Sequence, residues 1–266
     1  MQKNYAAADA VQYHIGLSRA QLKGATLAVL PGDPGRVEPL AKALADKGAR
    51  PRLLGSHREY TSWLTTVCGR RVLVCSTGMG GPSVAIGLEE LARLGVTQFL
   101  RFGTTGTIQE RVELGDVIIN KAAVRLDGTS GHFAPECFPA VADFRFTMAL
   151  AEAAEEAAVP CHVGISISSD TFWPGQERYD SFSGYVPRRM QGTMREWQAL
   201  GCLNYEMETG TLFTVCSAFG LQAASVCGVI AKRTDSESVA PHEVYEAAFD
   251  RMIKVVRGGI GRLGEK

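Results

Sequence analysis

Ala25-Thr26-Leu27-Ala28-Val29-Leu30, followed by Pro31-Gly32-Asp33-Pro34-Gly35-Arg36, is the stretch that decides the fold class. A short continuous apolar run closed by proline and glycine reads as a strand buried on both faces. The segment behind it, Val37 to Ala45, has helical periodicity. Strand, glycine-rich turn and helix in that order form the repeating unit of a layered α/β domain.

The unit recurs along the chain. Arg71-Val72-Leu73-Val74-Cys75-Ser76 reads as a strand ending in Gly78-Met79-Gly80-Gly81-Pro82. Pro82 suits the first turn of a helix running through Ile86, Leu88 and Leu91. Gln98-Phe99-Leu100-Arg101-Phe102 is a third strand, with Gly103-Thr104-Thr105-Gly106 as the turn after it. Asp116–Ile119 and Cys161–Ile165 are further strands, separated by an Ala/Glu-rich helix from about Phe144 to Ala158. A helix at Thr209–Phe219 leads into the strand Ala223–Ile230, and a last helix covers His242–Leu263. The expected architecture is an α/β three-layer sandwich with helices on both faces of a mixed sheet. No linker, repeat or low-complexity tract divides the chain, so one domain over residues 1–266 is expected. In such sheets a ligand gathers at the turns that follow the strands.

Composition narrows the function. The 266 residues include 28 basic and 28 acidic side chains, for a formal net charge of +0. That balance argues against nucleic acid or an anionic membrane as partner. No apolar run is long enough to span a bilayer, and Met1-Gln2-Lys3-Asn4-Tyr5-Ala6-Ala7 lacks the apolar stretch of a signal peptide. The seven cysteines are scattered, with no CxxC pair, and read as reduced core thiols of a cytoplasmic protein. Several tempting motifs fail. Gly78–Ser83 lacks the third glycine of a dinucleotide fingerprint, and there is no P-loop or GxSxG elbow. His242-Glu243-Val244-Tyr245-Glu246 has Glu where a zinc-protease motif needs its second His, so a catalytic metal is not expected.

Two constellations carry chemistry. Arg101 lies inside an apolar strand, where an unpaired charge is costly. Arg36 follows a glycine-rich turn whose N–H groups suit an anion. Any single arginine could equally make a surface ion pair. The second constellation is Ser169-Asp170-Thr171-Phe172-Trp173-Pro174-Gly175-Gln176-Glu177-Arg178-Tyr179-Asp180. Gln176 offers a donor beside an acceptor, Arg178 a planar fork of donors, and Phe172 a stacking face. Such a set reads the edge of a flat heterocycle, and uracil, with alternating carbonyls and N–H, suits it. The alternative is an ordinary Pro-Gly surface turn, which the neighbouring aromatic residues oppose.

Six segments in this order resemble one family. They are Pro31–Arg36, Ser56-His57-Arg58-Glu59-Tyr60, Gly78–Ser83, Arg101–Gly106, Phe172–Asp180 and Asn204-Tyr205-Glu206-Met207-Glu208. Together they resemble the uridine phosphorylases of the hexameric branch of the nucleoside phosphorylase superfamily, over nearly the whole chain. The resemblance implies an α/β sandwich around a distorted barrel, and phosphorolysis of uridine to uracil and ribose 1-phosphate. It also implies a homohexamer, a trimer of dimers, with sites shared between two subunits. Uridine and phosphate are then the small-molecule substrates. No cofactor is required.

The residue roles follow from the matched positions. Gly32, Arg36, Arg101 and Thr104 match phosphate ligands, and Arg58 an arginine reaching in from the neighbouring subunit. Glu208 matches the ribose 2′/3′-hydroxyl ligand, Met207 packs on the sugar and Glu206 supports them. A glutamate in a helix's first turn is the rival reading for both carboxylates. His14 matches a histidine donated by the adjacent subunit to the 5′-hydroxyl. Phe172, Gln176, Arg178 and Ile230 match the base pocket, and Arg233 anchors a flap. Catalysis is expected from Arg101, Gln176, Arg178 and Glu208. Glu59, Met79 through its carbonyl, and Ser83 match a K⁺ site between subunits, with a plain hydrogen-bond cluster as the alternative.

Three departures bear on the reading. Purine phosphorylases and nucleosidases of the superfamily place a Ser-Asp pair where this chain has Ile230-Ala231, which disfavours a purine substrate. The arginines disfavour water as nucleophile, and the intact ligand set disfavours a non-catalytic nucleoside-binding protein. The segment Ala45–Arg52 is longer than expected, and the flap Thr234–Pro241, with Asp235 read as its surface, also differs.

Overall fold

Strand β1 (Leu27–Pro31) is buried at every position because both its faces are covered by helices. Leu27 and Val29 pack toward one helical layer, Ala28 and Leu30 toward the other. This arrangement comes from a computed structural model that describes residues 10–234, 238 and 240–264. The readings of Met1–Ala7 and Asp235 lie outside the described residues.

The remaining strands are β2 (Arg52–His57), β3 (Tyr60–Val67), β4 (Arg70–Cys75), β5 (Gln98–Thr107), β6 (Val117–Leu126), β7 (Ala140–Val141), β8 (Cys161–Ser169), β9 (Asn204–Glu206) and β10 (Gln222–Lys232). The helices are α1 (Arg19–Leu22), α2 (Val37–Leu44), α3 (Gly81–Arg93), α4 (Phe144–Glu156), α5 (Thr193–Ala199), α6 (Thr209–Phe219) and α7 (His242–Arg262). Helices α2, α4 and α7 cover the Leu27 face, and α1, α3 and α6 the Ala28 face. In α2, Val37, Leu40, Ala41 and Leu44 are buried at i, i+3, i+4 and i+7, the stripe that a half-buried helix needs. Val37, Leu40 and Leu44 each contribute about 1.5–3 kcal/mol on leaving water.

One sheet runs β2-β3-β4-β1-β5 and then curls. Strand β5 pairs with β10 in parallel and β9 antiparallel, and β10-β6-β8-β9 completes a closed five-strand ring. The three-layer α/β sandwich around a distorted barrel is therefore the observed fold. β5 joins the two halves: Gln98–Phe102 pairs with β1, and the ladder to β10 continues from Gln98 to Thr107.

That continuity corrects one expectation. Gly103-Thr104-Thr105-Gly106 is strand rather than turn, because β10 supplies hydrogen-bonding partners along its whole length. The hairpin β2–β3 and the short strand β9 were not anticipated, since their sequences carry no alternation of their own. The seven cysteines are free, but Cys68 and Cys137 are exposed rather than in the core.

Candidate active site

The ends of β1 and β4, the middle of β5, the β9–α6 junction and β10 surround one cavity of about 550 Å³. Arg101 lies at its floor, almost fully buried on β5. Its Nε donates to Glu206 Oε2 at 3.1 Å, and its Nη2 pairs with Glu208 Oε2. Strand geometry explains how the guanidinium reaches this place. Gly103 is two residues on, on the same face. A Cβ there would stand 2.8 Å from the Arg101 Cζ, so the guanidinium lies where a side chain would be.

The carboxylates are fixed by the start of α6. Glu206 Oε2 also accepts from the N–H groups of Glu208 at 2.8 Å and Thr209 at 2.7 Å. Glu208 occupies the position before the helix, and its Oε1 accepts from Gly80 N–H at 2.7 Å. Glu206 satisfies helix N-terminal donors, as the rival reading has it, and binds Arg101 as well. Burial pushes the Glu208 carboxyl up, Arg101 pulls it back, and Glu206 adds to the upward push, leaving it above the ordinary 4.5. Burial also opposes the charge on Arg101, but Glu208 and Glu206 outweigh it and hold the guanidinium above its usual range.

Next to the floor, Gly32, Arg36 and Thr104 line the cavity. Asp33 Oδ1 accepts from Gly35 N–H at 2.8 Å and shapes the turn that brings Arg36 in. Arg36 Nη1 is buried without a hydrogen-bond partner among the described residues. A buried, unanswered cationic donor at a cavity wall is costly unless an anion completes it.

The opposite wall is the segment singled out for reading a heterocycle. Its polarity is inverted relative to a surface turn. Gln176 and Arg178 are 3% and 5% exposed, whereas Phe172, Trp173 and Tyr179 are 42–54% exposed. The Arg178 guanidinium carbon sits 4.3 Å from the Phe172 ring centroid, a cation–π contact. Arg233 Nη1 donates to the Gln176 carbonyl at 2.7 Å and so ties the end of β10 to this turn. The β10 ladder shifts register between Val229 and Ala231, and Ile230, the residue bypassed, faces the cavity. Met207 completes the wall. Tyr205, Thr105 and Gly106 also line it and were not anticipated. Their signal was the Asn204–Glu206 strand pairing with Gly106 and Thr107, which sequence alone does not display.

His14 and Arg58 do not line this cavity. They share an exposed edge with Tyr13, whose hydroxyl lies 3.5 Å from Arg58 Nη2. Arg58 sits in the tight β2–β3 turn with φ +55°. Val11, Tyr13, Leu53 and Met79 are 53–83% exposed. Glu59, Met79 and Ser83 are brought together: Ser83 Oγ donates to the Met79 carbonyl at 3.2 Å and lies near Gly78, beside the Glu59 side chain. All donors there are oxygens, and one carbonyl, one hydroxyl and one carboxylate suit a hard monovalent cation but leave its shell incomplete within one chain. No cluster of three or more His, Cys, Asp or Glu suited to a metal occurs among the described residues. No helix among them is long and apolar enough to cross a membrane.

An anion-ready floor facing a buried amide and guanidinium, on this barrel, defines a class. A sequence profile of the phosphorylase superfamily matches residues 26–259, and the chain belongs to that superfamily. Within it, the chain is 56% identical over 225 residues to a uridine phosphorylase of Haemophilus influenzae, covering 85% of this chain and 88% of that one. It is 53% identical over 251 residues to the uridine phosphorylases of Salmonella typhimurium and Escherichia coli, covering 94% of this chain and 97% of each.

Proposed function

We propose that this protein is a pentosyl-transferring enzyme that catalyses uridine + phosphate ⇌ uracil + ribose 1-phosphate. The observation that carries the reading is one cavity with an unanswered arginine donor beside the buried Arg101 at one end and Gln176 and Arg178 at the other. The uridine phosphorylases at 53–56% identity support the same substrate.

In this reading phosphate lies on Gly32, Arg36, Arg101 and Thr104 and attacks C1′ of the ribose. The C1′–N1 bond breaks, its electron pair goes to uracil, and the sugar passes through an oxocarbenium-like state. Glu208 and Met207 hold the sugar, and Glu208 stabilises its positive charge. Gln176 and Arg178 donate to the oxygens of the departing uracil, so base recognition and leaving-group stabilisation use the same contacts.

His14 and Arg58 complete a neighbouring subunit's cavity, His14 at the ribose 5′-hydroxyl and Arg58 at phosphate. The exposure of Arg58 and of the His14 ring, outside their own chain's cavity, supports this assignment, and the assembly is a homohexamer built as a trimer of dimers. The oxygen set of Glu59, Met79 and Ser83 holds a structural K⁺ shared by two chains. The chain works as a single domain over residues 1–266 in the cytoplasm, without any required cofactor and without nucleic acid or membrane as partner.

The deciding experiment gives the purified protein uridine or inosine, with and without phosphate, and follows free base by absorbance. Uracil release that depends on phosphate, with inosine far poorer, is expected. Uracil released equally well without phosphate would overturn phosphorolysis, and preference for inosine would overturn the base assignment.

A further inference from the structure

Two adjacent glutamates on α3 behave differently. Glu89 is exposed and pairs with Arg93 one turn on. Glu90 is only 7% exposed, although it has no arginine or lysine partner within 4.0 Å among the described residues. Its carboxylate is spent on one target, the segment at His14. Glu90 accepts from His14 N–H at 3.0 Å and Ile15 N–H at 2.9 Å, and its Oε1 lies 2.6 Å from His14 Nδ1. The carbonyl of His14 is held as well, accepting from His57 Nδ1 at 2.8 Å. Gly16, at φ +67°, lets the chain turn closely past His57, 3.3 Å from where its Cβ would be. Backbone and ring of a residue near the described N-terminal end are thus clamped from both sides, while the ring's outer edge is open: the side chain is 36% exposed.

The chemistry of the contact sets the tautomer. A carboxylate can only accept, so Nδ1 carries the proton, and in the neutral ring Nε2 is left as an outward-facing acceptor. We propose that Glu90 is a positioning residue that holds His14 with Nε2 as a hydrogen-bond acceptor for the 5′-hydroxyl of a nucleoside in the neighbouring subunit's cavity. The inference rests on the assignment of His14 to that hydroxyl. It adds a direction: the substrate hydroxyl donates and the protein accepts. A group fixing the far nitrogen of an imidazole is the general device by which a working histidine is oriented.

The test compares kcat/KM for uridine with that for 5′-deoxyuridine, which lacks the hydroxyl. His14→Ala should narrow the preference for uridine about tenfold, the worth of one good hydrogen bond. Glu90→Gln retains an acceptor for the backbone but can present an N–H to Nδ1, which reverses the ring's polarity. It should narrow the same ratio by a similar factor, leave the KM for phosphate unchanged, and add nothing further in the His14→Ala background. If His14→Ala narrows the ratio and folded Glu90→Gln keeps the wild-type ratio, Glu90 is structural only and the inference falls while the site assignment stands. If His14→Ala leaves the ratio unchanged, the assignment fails and takes the inference with it. Ring ¹⁵N NMR of the wild-type enzyme gives a readout independent of folding in the variant. At a pH where His14 is neutral, the proton should be on Nδ1; finding it on Nε2 would overturn the proposal.

Discussion

The floor of the cavity and the edge around His14 are built on opposite plans. At the floor, Arg101, Glu206 and Glu208 satisfy one another within one chain, almost fully removed from water. At the edge, Tyr13 and Arg58 are exposed and the outer edge of the His14 ring is open. A buried charge must have its partners folded around it, because leaving it unpaired costs several kcal/mol. An exposed charge can wait for a partner. The contrast separates what one chain completes from what an assembly would complete.

The sharpest way to break that distinction is to damage each region separately and then mix the products. Arg101→Ala removes the cation that pairs with Glu206 and Glu208 and should lower kcat/KM for phosphorolysis by about a thousandfold, the upper range for losing one preorganised charge-stabilising group. Arg58→Ala should cost less. Mixed assemblies of the two variants should regain activity, to about a quarter of wild-type sites if pairs form at random, because one subunit supplies an intact floor and its neighbour an intact edge. Activity that stays at the level of the separate variants would mean that the edge serves its own chain.

A subtler disturbance keeps every functional group and moves one of them. Gly103→Ala places a Cβ 2.8–3.0 Å from three atoms of the Arg101 guanidinium. The guanidinium must shift, and its contacts to Glu206 and Glu208 shift with it. A displacement of order 1 Å at reacting groups costs about a hundredfold, so kcat/KM should fall by about that factor. The Arg58 edge should be untouched, and this variant should complement Arg58→Ala just as Arg101→Ala does. Kinetics within twofold of wild type would show that the floor is not rigid.

How legible these regions were in the sequence follows from the same contrast. β1, α2, α3 and α6 were readable because each buries a periodic or continuous apolar set of its own. Arg101 was readable because a charge inside such a run is anomalous. The extension of β5 through Gly103–Gly106 was not, since a Gly-Thr-Thr-Gly string is a turn by local chemistry and a strand only because β10 and β9 lie on either side. The inward turn of Gln176 and Arg178 was anticipated from their chemistry, but the exposure of Trp173 and Tyr179 was not, whereas Phe172, though 42% exposed, lines the cavity. Aromatic residues ordinarily seek the core; here Arg233 pulls the Gln176 turn onto β10 and the rings stay at the rim. Glu90 carried no local signal at all, because its partner is 76 residues away.

The smallest expected effect tests how the floor tolerates its own charge. In the proposed reaction Glu208 acts as the ionised carboxylate, accepting from the sugar hydroxyls while paired with Arg101, yet burial, followed by the field of Glu206, raises its carboxyl above 4.5 despite Arg101. On lowering the pH, Glu208 therefore gains a proton sooner than an ordinary glutamate, and kcat/KM for uridine should fall with a midpoint above 4.5. Stability runs the other way. A carboxyl whose folded value is raised favours the fold while protonated, below 4.5, and loses that contribution as pH rises through the folded value. Near pH 7 the ionised group is therefore a cost to the fold. Glu208→Gln should lose the acid limb along with most activity, yet melt at least as high as wild type at neutral pH, with any advantage vanishing toward pH 4.5. A variant that melts lower than wild type at pH 7 would show that the pairing with Arg101 outweighs the burial. The floor would then be a stabilising cluster rather than a strained one held ready for phosphate and sugar.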